Sequence, residues 1–395
     1  MQEMFPFFLI LFAGVFFSSI FRKVHIPWVV ALIIAGISIG PYGFGIINIS
    51  PTVDFIGQVG LIFLMFMAGL ETKTSGFKGF EKGLIKLSFI NGAIPFIVGI
   101  TIGYFFGYSV TSSLLLGVIF ISSSIAMVIP SLEKNKLLNT RLGQSVVVTS
   151  VIQDIASLVL LSILLQNLSP TTNLPLYVFY PILITILLFF RFLMPKIIKL
   201  LMFISKDDSA GLFEQDFRAI FLILLGTVIS FQFLGLHPII AAFFTGLILS
   251  DSIRSHVLIN KIHTISYGIF IPTFFVVVGA QTNISVLFEL SGTIQLVLII
   301  VLGSIVSKFL SGWWGGKLVG FDSDQSLLFG ISSIPQLSTT LAVVSTGFSL
   351  GLLDERLSAA MIVLSIVTVL VSPSLMNIFG ERIRKSIDYP RLVKE

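Results

Sequence analysis

Apolar runs of roughly 17 to 25 residues recur along this sequence, each long enough to cross a hydrocarbon core of about 30 Å as a helix. Strands of a membrane barrel would instead alternate apolar and polar residues every second position. Lipid offers the backbone no hydrogen-bond partner, so a chain of such runs must close its amides within helices. Only 11% of the residues are charged and 55% are hydrophobic, against about a quarter charged in soluble domains. The fold class that follows is an all-α integral membrane protein.

The runs fall near 4–20, 26–47, 54–70, 84–107, 112–130, 142–166, 174–203, 215–234, 237–250, 261–280, 292–316, 325–350 and 357–378, which predicts about thirteen transmembrane helices. The first run is followed rather than preceded by Arg22 and Lys23, so it reads as a retained anchor and not a cleaved signal. An odd number of crossings places the loops carrying Arg22, Lys23, Lys73, Lys78, Lys134, Lys136, Arg141 and Lys317, with Arg382, Arg384 and Lys385 of the tail, on one side. The opposite loops hold only Arg356, which is the pattern of positive residues retained inside. The expected protein is therefore a multi-pass protein of the cell membrane with its N-terminus outside. Residues 1–380 would form the membrane domain and 381–395 a short cytoplasmic tail. The net charge of +5 then reflects topology, and no nucleic acid is expected as a partner.

Once the charges of the loops and their flanks are set aside, three remain within the runs, Asp154, Lys308 and Arg191. Arg191 stands near the end of its run and can snorkel to the interface. Asp154 lies about 18 Å along its helix, close to the midplane, where an aspartate costs about 2.5 to 3.5 kcal/mol to insert and usually marks an ion or proton path. The amide of Gln153 beside it can coordinate a cation or hydrogen-bond across helices. Ser150 shares the Asp154 face one turn away, and the hydroxyls of Thr149 and Ser150 can ligate an ion or bond back to their own helix. Lys308 sits about 7 Å deeper than Trp313, and pairing it with the midplane carboxylate would relieve the cost of burying both.

Two runs invite interruption. The fifth contains Ser122, Ser123 and Ser124, followed by Pro130. The twelfth crowds Ser332, Ser333, Pro335, Gln336, Ser338, Thr339 and Thr340 into its centre, and Pro335 removes a helix donor. By the count above the two runs cross in opposite directions, as in the inverted repeats of secondary transporters, which hold ions between discontinuous helices.

Four stretches, VVALIIAGISIGPYGFGII (29–47), IGQVGLIFLMFMAGLETK (56–73), GLHPIIAAFFTGLILSDS (235–252) and IFIPTFFVVVGAQTNI (269–284), resemble in order and spacing the hallmarks of the monovalent cation:proton antiporters. Within that group the resemblance is to the second family, the Kef-type and NapA-like exchangers. It implies an inverted-repeat antiporter fold with two crossing discontinuous helices, a dimerisation domain beside a core, and a homodimer. It also implies that Asp154 is the ion- and proton-binding aspartate, Gln153 its preceding polar residue, and Lys308 the basic residue of the eleventh helix. Ser123 and Ser124 fall on the Ser-Ser pair of the broken fifth helix, while Ile125 stands where Kef-type sequences often have threonine. Gln153 occupies the place of a second aspartate in electrogenic exchangers, which favours electroneutral exchange of one cation for one proton.

The expected function is secondary active exchange of Na⁺ or K⁺ for H⁺ by alternating access, with membrane lipid around the protein and no cofactor. An organic-anion carrier coupled to sodium would call for further buried acids, and an ion channel would be plugged by a buried Asp–Lys pair. An enzyme is not expected: the sequence has no cysteine, and its four histidines stand near the ends of the runs.

Overall fold

The computed structural model describes residues 4–23, 26–72, 82–168, 215–233, 237–250, 253, 256–289 and 292–392, with isolated positions 181, 185, 192 and 196. Among these residues nine helices are long and apolar enough to span a membrane, and three shorter apolar helices, Trp28–Ile39, Phe217–Gln232 and Pro238–Ser250, accompany them. Together they cover twelve of the thirteen predicted runs. The remaining run, 174–203 with Arg191, lies largely outside the described residues, and the segment 73–81 with Lys73 and Lys78 lies wholly outside them.

In chain order the helices are α1 (Met4–Lys23), α2 (Trp28–Ile39), α3 (Pro51–Glu71), α4 (Lys82–Phe105), α5 (Val110–Ile121), α6 (Ile125–Lys134), α7 (Arg141–Leu168), α8 (Gln215–Phe233) and α9 (Pro238–Ser250). They continue with α10 (His256–Ile265), a π-helical turn Ser266–Phe270, α11 (Ile271–Gln281), α12 (Val286–Glu289), α13 (Thr293–Leu318), α14 (Ser323–Ser333), α15 (Ser338–Ser349) and α16 (Glu355–Leu392). The chain divides into two compact units. Unit 1 comprises residues 1–11, 50–75 and 165–277, and unit 2 comprises 12–49, 76–164 and 278–395.

In unit 1, α3 and α9 pack backbone to backbone. A Cβ on Gly246 would stand 2.1 Å from the Phe66 carbonyl oxygen, and one on Gly69 equally close to that of Phe243. Each glycine is therefore a place where any side chain would force the pair apart. Phe63 of α3 stacks on Phe270 with ring centroids 4.5 Å apart, extending that contact with aromatic area.

Unit 2 holds both interrupted helices. The fifth predicted run is two pieces, α5 and α6, joined by extended backbone at Ser122 (φ −55°, ψ 148°) and Ser124 (φ −92°, ψ 101°). The twelfth is likewise α14 and α15, joined through Ile334–Leu337, with Leu337 in a non-helical conformation (φ −145°, ψ −84°). Serine competes with the helix ladder and Pro335 cannot join it, so the sequence supplies the interruption in each case. Pro130 has no part in it, because α6 continues through that residue.

The two halves are also packed alike. On α5, a Cβ at Gly117 would meet the Phe96 carbonyl of α4 at 2.8 Å, and on α14 one at Gly330 would meet the Phe309 carbonyl of α13 at 2.6 Å. Below the crossing, α6 is seated by an apolar cluster of Leu87, Val128, Leu132, Val146, Leu328, Phe329 and Met376, drawn from α4, α6, α7, α14 and α16. That seat matters because ten residues of helix have little stability of their own in isolation.

Candidate functional site

An interrupted helix leaves the carbonyls of its last turn without intrahelical donors, and inside a membrane each needs another partner. At the end of α5 these donors are side chains from distant elements. The Lys308 ammonium of α13 donates to the Ile121 carbonyl, and Gln336 Nε2 donates to the Phe120 carbonyl at 3.1 Å. At the end of α14, Ser372 Oγ donates to the Ile331 carbonyl at 2.8 Å, and Ser123 Oγ reaches the Ser333 carbonyl at 3.5 Å. The two breaks are tied directly by the Ser124 N–H, which donates to the Pro335 carbonyl at 2.6 Å. The unwound centres of the two helices therefore meet, and each supplies what the other lost.

Asp154, on α7, faces this crossing and is 3% exposed. Its Oδ1 accepts from Ser122 Oγ at 3.2 Å, and the Ser123 backbone N–H and the Thr339 hydroxyl lie against the same carboxylate. The Thr339 hydroxyl faces the carboxylate outside strict hydrogen-bond geometry and has no other partner. All of these groups are neutral. Ser150, one turn before Asp154, donates to Ser123 Oγ at 3.5 Å, and Thr149 accepts from Ser88 of α4 at 3.2 Å. The structure thus brings Ser122, Ser123, Ser150, Thr339 and Asp154 together, with Thr149 on the flank.

Lys308 is fully buried and interacts with Asp154 through charge, without a direct hydrogen bond to the carboxylate. Instead the ammonium donates to Gln153 Oε1 at 3.2 Å as well as to Ile121. The physical reason is the end of α5, where a helix carries partial negative charge and free carbonyls that a lysine can satisfy. Gln153 is thereby spent on Lys308 through its oxygen, while its Nε2 remains without a partner.

Gln336, also fully buried, reaches from the second break to the first and anchors its own break to neighbouring helices. Besides holding Phe120, its Oε1 accepts from Ser304 at 3.3 Å and its backbone N–H donates to Thr368 Oγ1 at 3.2 Å. Pro335 contributes its carbonyl to the tie between the breaks. Ser124 Oγ and Thr340 Oγ1 are buried and unpartnered.

Several supporting residues escape a reading based on charge. Asn91 of α4 donates to Ser333 Oγ at 2.9 Å and accepts from Ser311 Oγ at 2.8 Å, bridging α4, α13 and α14. A pattern signal did exist: Ser304, Ser307, Lys308 and Ser311 recur at helical spacing along α13 and form one buried polar stripe. Asn91 had only a weak signal of this kind, in Ser88 three residues before it on the same face of α4.

Chemically, the arrangement is a sealed carboxylate among hydroxyl and amide oxygens at the midpoint of two broken helices. Oxygen donors of this kind suit a hard cation, and a carboxylate can alternatively hold a proton. No cluster of three or more His, Cys, Asp or Glu side chains able to hold a metal ion occurs among the described residues.

The chain is similar to known proteins along nearly its whole length. The chain is 33% identical over 375 residues to probable Na⁺/H⁺ antiporter 3 of Methanocaldococcus jannaschii, covering 93% of this chain and 94% of that one. It is 28% identical to an Enterococcus hirae Na⁺/H⁺ antiporter over 95% of this chain and 97% of that one. Among solved structures, the sodium proton antiporter MjNhaP1 of M. jannaschii at pH 8 superposes with a TM-score of 0.70 at 19% identity, covering 97% of this chain and all of that one. The fold is therefore that of an antiporter with inverted repeats and two crossing discontinuous helices, as its sequence resemblance implied. Residues 7–380 match the family described as sodium/hydrogen exchanger, transmembrane, and the chain belongs to that family.

Proposed function

We propose that the chain is a secondary transporter that exchanges a monovalent cation for a proton across the membrane by alternating access, with Asp154 as the group that carries either one. The observation that supports this best is the setting of Asp154. It is sealed from solvent and hydrogen-bonded by neutral donors, while the buried Lys308 ammonium acts on it through charge and spends its hydrogen bonds on the end of α5 and on Gln153. A buried carboxylate with no direct ion-pair contact is costly unless it binds a proton or a cation, and it can bind only one at a time. That competition couples the two gradients.

Thr339, whose hydroxyl lacks a partner, and Ser122 and Ser123 are the oxygen ligands proposed beside Asp154, with Gln153, Ser150 and Thr149 behind them. Sodium is the favoured cation, since the similar proteins named above are Na⁺/H⁺ antiporters, and potassium is the alternative. With Gln153 neutral, one cation exchanges for one proton without net charge movement. The protein is proposed to work as a homodimer in the cell membrane, N-terminus outside, with residues 1–380 as the transport domain and a cytoplasmic tail from 381.

The test is dissipation of a pH gradient in proteoliposomes on addition of Na⁺, K⁺ or Li⁺, in the wild type and in Asp154→Asn. Cation-dependent dissipation lost in the variant is the expected result and identifies the ion. Dissipation that persists in Asp154→Asn would overturn the assignment of the site.

A further inference from the structure

A cleft in unit 2 shares no lining residue with the Asp154 site. It has a cavity volume of about 30 Å³ and lies among the end of α11, the following loop, the second half of α15 and the first turns of α16. Its lining includes Thr282, Asn283, Ser345, Phe348, Glu355 and Ser358. Asn283 Nδ2 donates to Glu355 Oε2 at 2.9 Å, which commits the amide's donor end to the carboxylate. Its acceptor end, Oδ1, is buried without a partner. Ser358 is only 8% exposed, and its Oγ is also without a partner. It follows Glu355 by three residues and so stands one turn along the same face of α16.

We propose that this cleft is a second cation site, at which a monovalent cation is held between solvent and Asp154. The proposal rests on the exchange reading above. The Glu355 carboxylate, the Asn283 amide oxygen and the hydroxyls of Thr282, Ser345 and Ser358 make an oxygen donor set suited to a hard cation. The helix ends favour positive charge as well, since α11 terminates at Gln281 and α15 at Ser349, presenting the negative ends of their dipoles. The opposing N-terminus of α16 is already occupied, because Asp354 Oδ1 accepts from the Leu357 N–H at 2.8 Å. The neighbouring Arg356 is directed elsewhere, its Nε donating to Thr293 Oγ1 of α13 at 3.0 Å.

Location gives the site its role. Ser345 lies six residues beyond Thr339 on α15, about 9 Å along the helix axis. The cleft therefore stands at the far end of the same half-helix that begins beside Asp154. In the proposed orientation that end is the outer one, and a cation leaving or approaching Asp154 from outside meets Glu355.

Right-side-out and inside-out membrane vesicles, from a host lacking its own Na⁺/H⁺ antiporters, separate the two faces. With Na⁺ as the probe, Glu355→Gln should raise the apparent KM several-fold when Na⁺ is presented from outside. It should leave the KM from inside and the maximal rate unchanged. Ser358→Ala, a smaller change, should move the same KM in the same direction and serves if Glu355→Gln fails to reach the membrane. An unchanged outer KM in both variants, or an equal rise on both faces, would overturn the proposal. Absence of Na⁺-driven proton movement in the wild type would instead sink the exchange reading on which it stands.

Discussion

The tie between the broken helices can be tested through Gln336. Replacing it with leucine keeps the size of the side chain but removes the donor to the Phe120 carbonyl and the acceptor for Ser304 Oγ. Each orphaned buried group would cost about 1–3 kcal/mol by the experience of soluble proteins. Hydrogen bonds between helices in membranes average nearer 0.6 kcal/mol, because the separated helices find other partners. The expected loss for Gln336→Leu is therefore about 1–3 kcal/mol in total. Ser304→Ala removes one partner only, so the two changes should not add. A double-mutant cycle, read by unfolding of the purified protein in detergent, should give a coupling of about 0.5–2 kcal/mol. Transport should suffer more than stability, since Phe120 lies two residues before Ser122, which donates to Asp154. A fall in maximal rate of tenfold or more is expected in proteoliposomes. Strict additivity together with an unchanged rate would refute the view that Gln336 holds the crossing in shape.

Other outcomes follow from the same geometry. Lys308→Met should destabilise the protein by freeing the Ile121 carbonyl, and Lys308→Arg should restore part of the loss, as thermal unfolding of the two variants would reveal. Asn91→Ala should lower both stability and rate, whereas Asn91→Asp should place a second buried acid at the crossing and change the pH dependence of transport rather than abolish it; identical pH profiles would argue against a role near the site. Gly246→Leu, at the 2.1 Å approach to the Phe66 carbonyl, should prevent α3 and α9 from packing and reduce the folded yield measured by size-exclusion chromatography. Tyr108, in the α4–α5 connection, has its hydroxyl pushed up to about 12 by burial and then by the Asp354 charge. A raised phenol means that folding favours the neutral form, so this contribution is complete below about pH 10 and is lost as the pH climbs toward 12. Tyr108→Phe should flatten that part of a melting-temperature profile.

The sequence by itself determined the solvent, the secondary structure and the places where helices fail. Long apolar runs admit only helices in lipid, and the Ser122–Ser124 and Pro335 interruptions are local backbone chemistry, so both were legible without any partner in view. Asp154 stood out for the same reason: a carboxylate deep in an apolar run has to be explained wherever the run ends up. Pairing was another matter. Which carbonyl a buried lysine satisfies depends on which helix end lies within reach of its four-carbon stem. That is a fact about three elements, α5, α7 and α13, far apart in the chain, and it gave Lys308 hydrogen bonds to Ile121 and Gln153 beside its charge interaction with Asp154. The role of Asn91 was illegible for the same reason, since an amide in an apolar helix acquires meaning only from Ser333 and Ser311 on other helices. Local rules decide where the chain breaks, and the tertiary structure decides which distant side chain satisfies each break, because in a membrane no water is there to do it.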